Sequence, residues 1–500
     1  MNKRKLAAGV ACGVACSLAA AVPSVSNAVA GQDSASRLVT VTYTLADAPA
    51  IVTAEFVTNG VSVGACAYST LSGDVNKVLA ENGDYSFTWD PAVDWPGHEV
   101  PGLGVRLTPW TTNAPPPYMV VALKPYASVP SYDISYYPAA GSLPWGGVTN
   151  SAARERFLVL KRISAAGQTF QMGAESGDPG RNNSAGSGSN DGPERIHDVT
   201  LASDFYLGVF EVTFGQWSLV TGSQNPGGQF TSCFSDKAGR PREKVSFCHI
   251  RECDSTLANA TTNTASMYPN PPHGSSFLGK LRARTGDLPF DLPSEAQWEY
   301  ACRGGHYALA TWGDGSSRST GVNRDANLCN LARYRQNDGY LDGTTEPATS
   351  AGATIGTAIV GSYKPNSYGL YDMHGNVFEF CLDWWADDIT GLDGAVNADG
   401  ANLADGGTAG TYRVIRGGSW AGTPQPCLAS SRSTGSTSPA TVSKMWGFRV
   451  ALPLPAPDGE AVPVSVVATL ADFDSRVETI RDLVIPDFST YEVGTIISVR

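Results

Sequence analysis

The chain has 500 residues, enough for two to four domains and a sizeable core, and its 42% of hydrophobic residues exclude a disordered chain. Only 16% are charged, while glycine (54) and proline (32) are plentiful, which points to a loop- and strand-rich body and away from a helical bundle. The net charge of −12 argues against nucleic acid as a partner, because phosphate needs a basic face, and with no basic cluster after Lys5 an anionic membrane surface is not expected either.

Residues 1–30 read as a signal peptide. Lys3, Arg4 and Lys5 form a positive start, Leu6 to Val22 is apolar, and Ala28-Val29-Ala30 is a small-x-small cleavage signal. The apolar stretch is short for a membrane span. The expectation is a secreted or periplasmic protein, cut near Ala28 or Ala30, with no membrane insertion afterwards. Beyond the leader lie Cys66, Cys233, Cys248, Cys253, Cys302, Cys329, Cys381 and Cys427. Their pairing is not fixed by sequence, although Cys248 and Cys253 are close enough to close a small loop. No CxxC pair is present and the histidines do not fall at zinc spacings, so a zinc site is not expected.

Residues 31–125 read as a small β-sandwich. "RLVTVTYTL", "AIVTAEFV", "DYSFTWD" and "GVRLTPW" alternate apolar and polar positions, "YMVVAL" is a short apolar run, and turn residues separate them. Residues 126–155, rich in Pro, Ser, Tyr and Gly, read as a linker. From Arg156 to residue 453 the texture changes to dense aromatics and glycines with two clear helices. In "VTFGQWSLVTG", Thr213 is the expected N-cap and Gly222 the stop; in "PSEAQWEYACRGG", Ser294 and Gln297 form a capping box and Gly304 ends the helix. "GDPGRNNSAGSGSNDGPE" and the Asn/Pro/Thr-rich stretch near 256–275 read as surface insertions. Residues 454–500 form an extension whose "VSVVATLAD" echoes "VTVTYTLAD" and suggests the start of another β module.

Seven blocks of the central region, in order, carry a resemblance. They are "FQMGA", "ERIHDVTL", "FYLGVFEVTFGQW", "LPSEAQWEYACRGG", "YGLYDMHGNVFEF", "RVIRGGSW" and "WGFRVAL". Together they resemble the formylglycine-generating enzyme (sulfatase-modifying factor) family over residues 156–453. The resemblance implies an α+β, C-type-lectin-like fold with little regular secondary structure, here preceded by the β-sandwich. It also implies an oxidase that converts a sulfatase cysteine to Cα-formylglycine at a copper(I) centre held by two cysteines, since soft thiolates select Cu(I).

The first of those cysteines lies six residues after the arginine of the R-G-G-S motif and the second five further on. From Arg416 these positions are Gly422 and Cys427. Glycine brings no ligand, so copper is not expected. Two readings of Cys427 stay open, a buried or disulfide-bonded cysteine and a residual redox or metal thiolate. Ser419 and Trp420 match the active-site serine and its aromatic neighbour; the motif also reads simply as a tight buried turn. The resemblance further implies Ca²⁺ at Asn327, Leu328, Asp338 and Tyr340, and at His374, Gly375, Val377 and Glu379. His374 and His197 read as structural, and an iron-dependent sulfoxide synthase is not supported. Two functions follow for test: a formylglycine generator acting on a sulfatase, and a non-catalytic exported member binding a protein or glycan. Gly422 favours the second.

Overall fold

The computed structural model describes residues 22–63, 68–125, 128–175, 194–223, 237–256, 264–308, 311–318, 325–337, 356–385, 395–397, 412–436, 441–455 and 463–476. Most of the Gly/Ser/Asn insertion after residue 175 lies outside them, as do Asp338, Tyr340, Cys66 and Cys233.

The first strands are β1 (Ser24–Gln32), β2 (Val39–Ala46), β3 (Ala50–Thr58), β4 (Gly83–Trp89) and β5 (Glu99–Thr111). Strand β2 shows how alternation makes a half-buried strand: Val39, Val41, Tyr43 and Leu45 are buried while the threonines between them face outward or are partly covered. One sheet runs β1-β2-β4 and ends on Ser72–Gly73; the other pairs β5 with β3. Their inner faces enclose a core that includes Phe56, Trp89, Leu103, Val105 and Leu107.

Strand β1 overlaps the expected cleavage site. Residues 24–32 pair along β2, from Ser24 opposite Ala46 to Gln32 opposite Val39. A cut near Ala28 or Ala30 would fall within this strand.

The central domain begins earlier than expected. Strands β6 (Tyr118–Ala122) and β7 (Asp133–Tyr137) join β8 (Phe157–Ile163), β9 (Phe205–Gly208) and, from the far end of the domain, Ala451–Pro453. The sheet order is β7-β6-β8-β9 and then that last strand. Thus "YMVVAL" is not a sandwich strand, and residues 126–155 are not a linker. Val120 and Val121 pair with Val159 and Leu158, and this apolar matching ties the segment to the central core.

Three helices follow, α1 (Phe214–Thr221), α2 (Phe277–Arg284) and α3 (Glu295–Arg303). In α1 and α3 both halves of the capping box form, and each helix stops at a left-handed glycine, Gly222 and Gly304. Beside α3 stand β10 (Phe378–Trp384) and β11 (Tyr412–Arg416), antiparallel neighbours in a sheet that Ser433–Ser436 and Trp446–Gly447 complete. Cys248 and Cys253 form a disulfide. The molecule is an α+β domain with few helices and a separate all-β region.

The C-terminal extension does not open another module. Strand β12 (Val466–Asp474) pairs antiparallel with β5, placing Val466 opposite Leu107 and Asp474 opposite Glu99. Leu470 and Phe473 enter the sandwich core, where Phe473 stacks against Trp89 with ring centroids 5.7 Å apart. The echo between the two segments reflects two strands of one sandwich, and the central domain is inserted between β5 and β12. The two bodies touch: Ile51 of β3 belongs to the main central core, and the amide of Tyr136 donates to the carbonyl of Asn76 at 2.8 Å.

Candidate functional site

The site is built on α3. Glu295, Glu299 and Arg303 recur at intervals of four and so share one side of the helix. Arg416, at the end of β11, meets Glu295 and Glu299, each at 2.8 Å, and donates to the carbonyls of Ala429 (2.8 Å) and Ser431 (3.1 Å). The guanidinium is fully buried. Burial alone would disfavour its charge, but the two carboxylates raise its pKa and keep it protonated. Burial likewise pushes Glu295 up, yet Arg432 and Arg416 overcome it and hold the carboxyl below its usual range. This pairing fixes the start of the Arg416–Trp420 loop.

The loop needs its glycines. Gly417 and Gly418 have φ of 91° and 75°. A Cβ on Gly418 would lie 2.7 Å from the sulfur of Cys427, and one on Gly417 would lie 3.1 Å from the Trp298 ring. The loop is pinned by Gly375 N–H donating to the Gly417 carbonyl at 2.6 Å and by Trp420 N–H donating to the Asn376 carbonyl at 2.8 Å. The Trp420 indole donates to the Lys444 carbonyl at 3.1 Å, and the Lys444 ammonium sits 5.0 Å from the centre of the ring.

The expected site residues therefore gather, but in a closed form. Cys427 is fully buried, with its sulfur 3.7 Å from the carbonyl of Thr423. Burial pushes its thiol up to about 12, against a smaller opposing pull from the Ser419 backbone N–H, so it is neutral at physiological pH. Ser419 is also fully buried, and its Oγ has no hydrogen-bond partner among the described residues. Position 422 carries no side chain, though a Cβ there would find its three nearest atoms, all of Ser419, at 3.4 Å or more. Cys381 lies in a different buried cluster, with Trp298 and Met373. Cys329, unmarked in the sequence, shares a cluster with Cys427 and lies 3.1 Å from the Tyr334 hydroxyl. These residues do not fit a two-thiolate copper centre.

His374 ties this loop to another. Gly313 N–H donates to Nε2 at 3.2 Å, so Nδ1 carries the proton and donates to the Cys427 carbonyl at 2.8 Å. Burial lowers its pKa and keeps the ring neutral. His197 is also buried, its Nδ1 2.9 Å from the Arg195 carbonyl.

In the second calcium set the Glu379 carboxylate has partners within the protein. Arg449 grips Glu379 with two bonds of 2.6 Å, and the Trp298 indole donates to it at 2.8 Å. The carboxylate already has its counter-charge in a fully buried pair. Val377 N–H and the Asn376 amide turn instead to Glu211, at 3.0 and 2.6 Å. The sequence places Arg449 within "WGFRVAL" but gives no sign of this partnership. In the first set, the amides of Asn327 and Leu328 both donate to Asp325 at 2.9 Å, while Asp338 and Tyr340 are not described. Among the described residues no three His, Cys, Asp or Glu side chains are placed to hold a metal.

Residues 149–454 match the Sulfatase-modifying factor enzyme 1-like domain family. The chain belongs to this family. Its relatives include a formylglycine-generating enzyme of Thermomonospora curvata, 37% identical over 133 residues, which are 26% of this chain and 38% of that enzyme. The serine/threonine-protein kinase pkn1 of Chlamydia pneumoniae is 32% identical over 160 residues, or 32% of this chain and 20% of the kinase. The chaperone protein LppX of Paenibacillus barcinonensis is 30% identical over 233 residues, 44% of this chain and 71% of the chaperone. The chain thus spans well under half of the kinase and of the Thermomonospora enzyme. Among the described residues no helix is long and apolar enough to cross a membrane.

Proposed function

We propose that this chain is an exported family member that no longer oxidises cysteine and whose central domain binds a partner. The observation that carries this reading is glycine at position 422, beside a fully buried Cys427. Copper(I) is held by two thiolates, and one covered cysteine supplies neither the second ligand nor a path for a sulfatase cysteine. The differing names of its relatives, a formylglycine-generating enzyme, a kinase and a chaperone, agree with a domain that serves more than one activity.

The test is to incubate the full chain with Cu(I), oxygen and a Cys-x-Pro-x-Arg peptide and to weigh the peptide. The expected result is an unchanged peptide. Aldehyde formation by the natural sequence overturns the reading and restores Cys427, Ser419 and Trp420 to catalytic roles. A Gly422→Cys arm asks whether the absent thiol alone withholds the chemistry, since a Cβ at 422 makes only ordinary contacts.

Export and calcium belong to the same reading. Leader removal is expected upstream of Ser24, and a mature N-terminus at Val29 or Gly31 would contradict it. Calcium at Asn327, Leu328, Asp338 and Tyr340 should raise the melting temperature relative to chelator, and equal melting in both removes it.

A further inference from the structure

Beside α1 the central domain holds a cavity of about 470 Å³, a size that suits a small ligand. None of its lining residues belongs to the Arg416–Trp420 loop. It lies where three segments meet: the chain leaving β6 at Leu123 to Pro125, the helical turn Ser151–Glu155 that leads into β8, and α1 itself. The walls are tied together. Leu123 N–H donates to the Arg156 carbonyl at 2.9 Å, and the Gln216 side chain donates to the Phe157 carbonyl at 2.8 Å. Gly215 lets α1 come this close, since a Cβ there would lie 2.8 Å from the Glu155 carbonyl oxygen and 3.1 Å from that of Ala238.

The lining combines apolar surface with two unused charges. Leu123 and Pro125 contribute from one segment and Leu219 from another, with Pro125 exposed and Leu219 partly so, which keeps the cavity open to solvent. Glu155 and Arg156 also line it, and neither side chain makes a hydrogen bond or ion pair among the described residues. A Cβ on Gly239 would lie 3.8 Å from Glu155 Oε1, which puts the acid at the Ala238 wall. Lys124, the remaining charged residue of the lining, is engaged by Asp133 at 2.6 Å. Glu155 and Arg156 are neighbours in the chain yet do not pair with each other, so each is left for a group on a ligand. An apolar ligand with a single charge would leave the other one unanswered.

We infer that this cavity binds a short apolar peptide with free ends, an aliphatic dipeptide. Its ammonium meets Glu155, its carboxylate meets Arg156, and its two side chains lie against Leu123–Pro125 and Leu219. A guanidinium takes a carboxylate by two parallel bonds, which sets the direction of the peptide. The inference goes beyond the binding reading above and uses no residue of the Cys427 site.

The experiment is calorimetric titration of the full chain with leucyl-leucine and with three probes that each lack one feature. N-acetyl-leucyl-leucine has no ammonium, leucyl-leucine amide has no carboxylate, and glycyl-glycine has no apolar side chains. Saturable binding of leucyl-leucine is expected, with each of the other three weaker by about tenfold or more. Glu155→Gln should weaken leucyl-leucine about tenfold and leave the acetylated peptide unchanged, and Arg156→Gln should do the same and leave the amide unchanged. Neither side chain has a partner among the described residues, so both variants keep the fold and the test survives if Ser218→Trp, which fills the cavity and should abolish binding, does not. No saturable binding at millimolar leucyl-leucine, equal affinity for the capped peptides, or full affinity in both charge variants would overturn the inference. The two readings fail separately. Aldehyde formation sinks the non-oxidising reading and leaves the titration standing, whereas absent dipeptide binding sinks this site alone.

Discussion

Gly418 and Gly422 sit four residues apart and should answer alanine in opposite ways. At Gly418 the backbone is left-handed and a methyl would press on the Cys427 sulfur, so Gly418→Ala is expected to cost about 2–4 kcal/mol in urea unfolding. At Gly422 the nearest contacts are ordinary, and Gly422→Ala should stay within about 0.5 kcal/mol. A cost at 422 equal to that at 418 would refute the steric account. His374 sets a pH dependence. Its folded pKa is lowered from the usual 6.5, so below that value the unfolded chain takes up the proton more readily. Stability from this residue is therefore full at about pH 8 and falls as the pH drops below about 6.5. Burial raises Asp372 to about 6, which works in the opposite sense at overlapping pH. The contribution of His374 is thus read as the difference between the natural chain and His374→Gln across about pH 5 to 8. A difference that does not change with pH would show that the ring does not titrate as described.

The elements show which parts of the fold were legible. The two capped helices could be read from Thr213, Gln216, Ser294 and Gln297 because a cap is a local exchange of hydrogen bonds between residues three apart. The strands could be read where alternation was clean, as in β2. What lay beyond reach was pairing over distance. Glu379 and Arg449 are 70 residues apart, and nothing near either one announces the other. Equally hidden was the burial of Cys427, which depends on packing among Trp312, Leu328 and Tyr334. The place of residues 118–155 in the central domain was hidden too, because a short apolar strand carries no mark of the sheet it will join. At this scale the guanidinium pair makes a firm prediction. Arg449→Met leaves Glu379 buried without its counter-charge and should cost about 3–5 kcal/mol, while the double change Arg449→Met with Glu379→Leu should recover much of it. No recovery in the double variant would mean that the pair acts through something other than charge.

Across the whole molecule, the sandwich is closed by residues from both ends of the described chain. The Gln32 amide donates to the Asp474 carbonyl at 3.0 Å and accepts from the Asp474 N–H at 3.0 Å, locking β1 to β12. Gln32→Ala should cost about 1–3 kcal/mol, and removal of residues 463–500 should cost far more by stripping Leu470 and Phe473 from the core. Unchanged denaturation of the shortened chain would show that β12 is dispensable. The timing of synthesis follows from the same arrangement. Gln32 and Asp474 lie 442 residues apart, so at ordinary ribosomal speeds roughly 20 to 90 s separate the birth of one from that of the other. From its own synthesis until β12 emerges, β5 waits with a bare flank, and a nascent polypeptide with such a flank invites adhesion to its neighbours. Holdase chaperones that shield it until the tail arrives would then govern yield, whatever the finished protein binds.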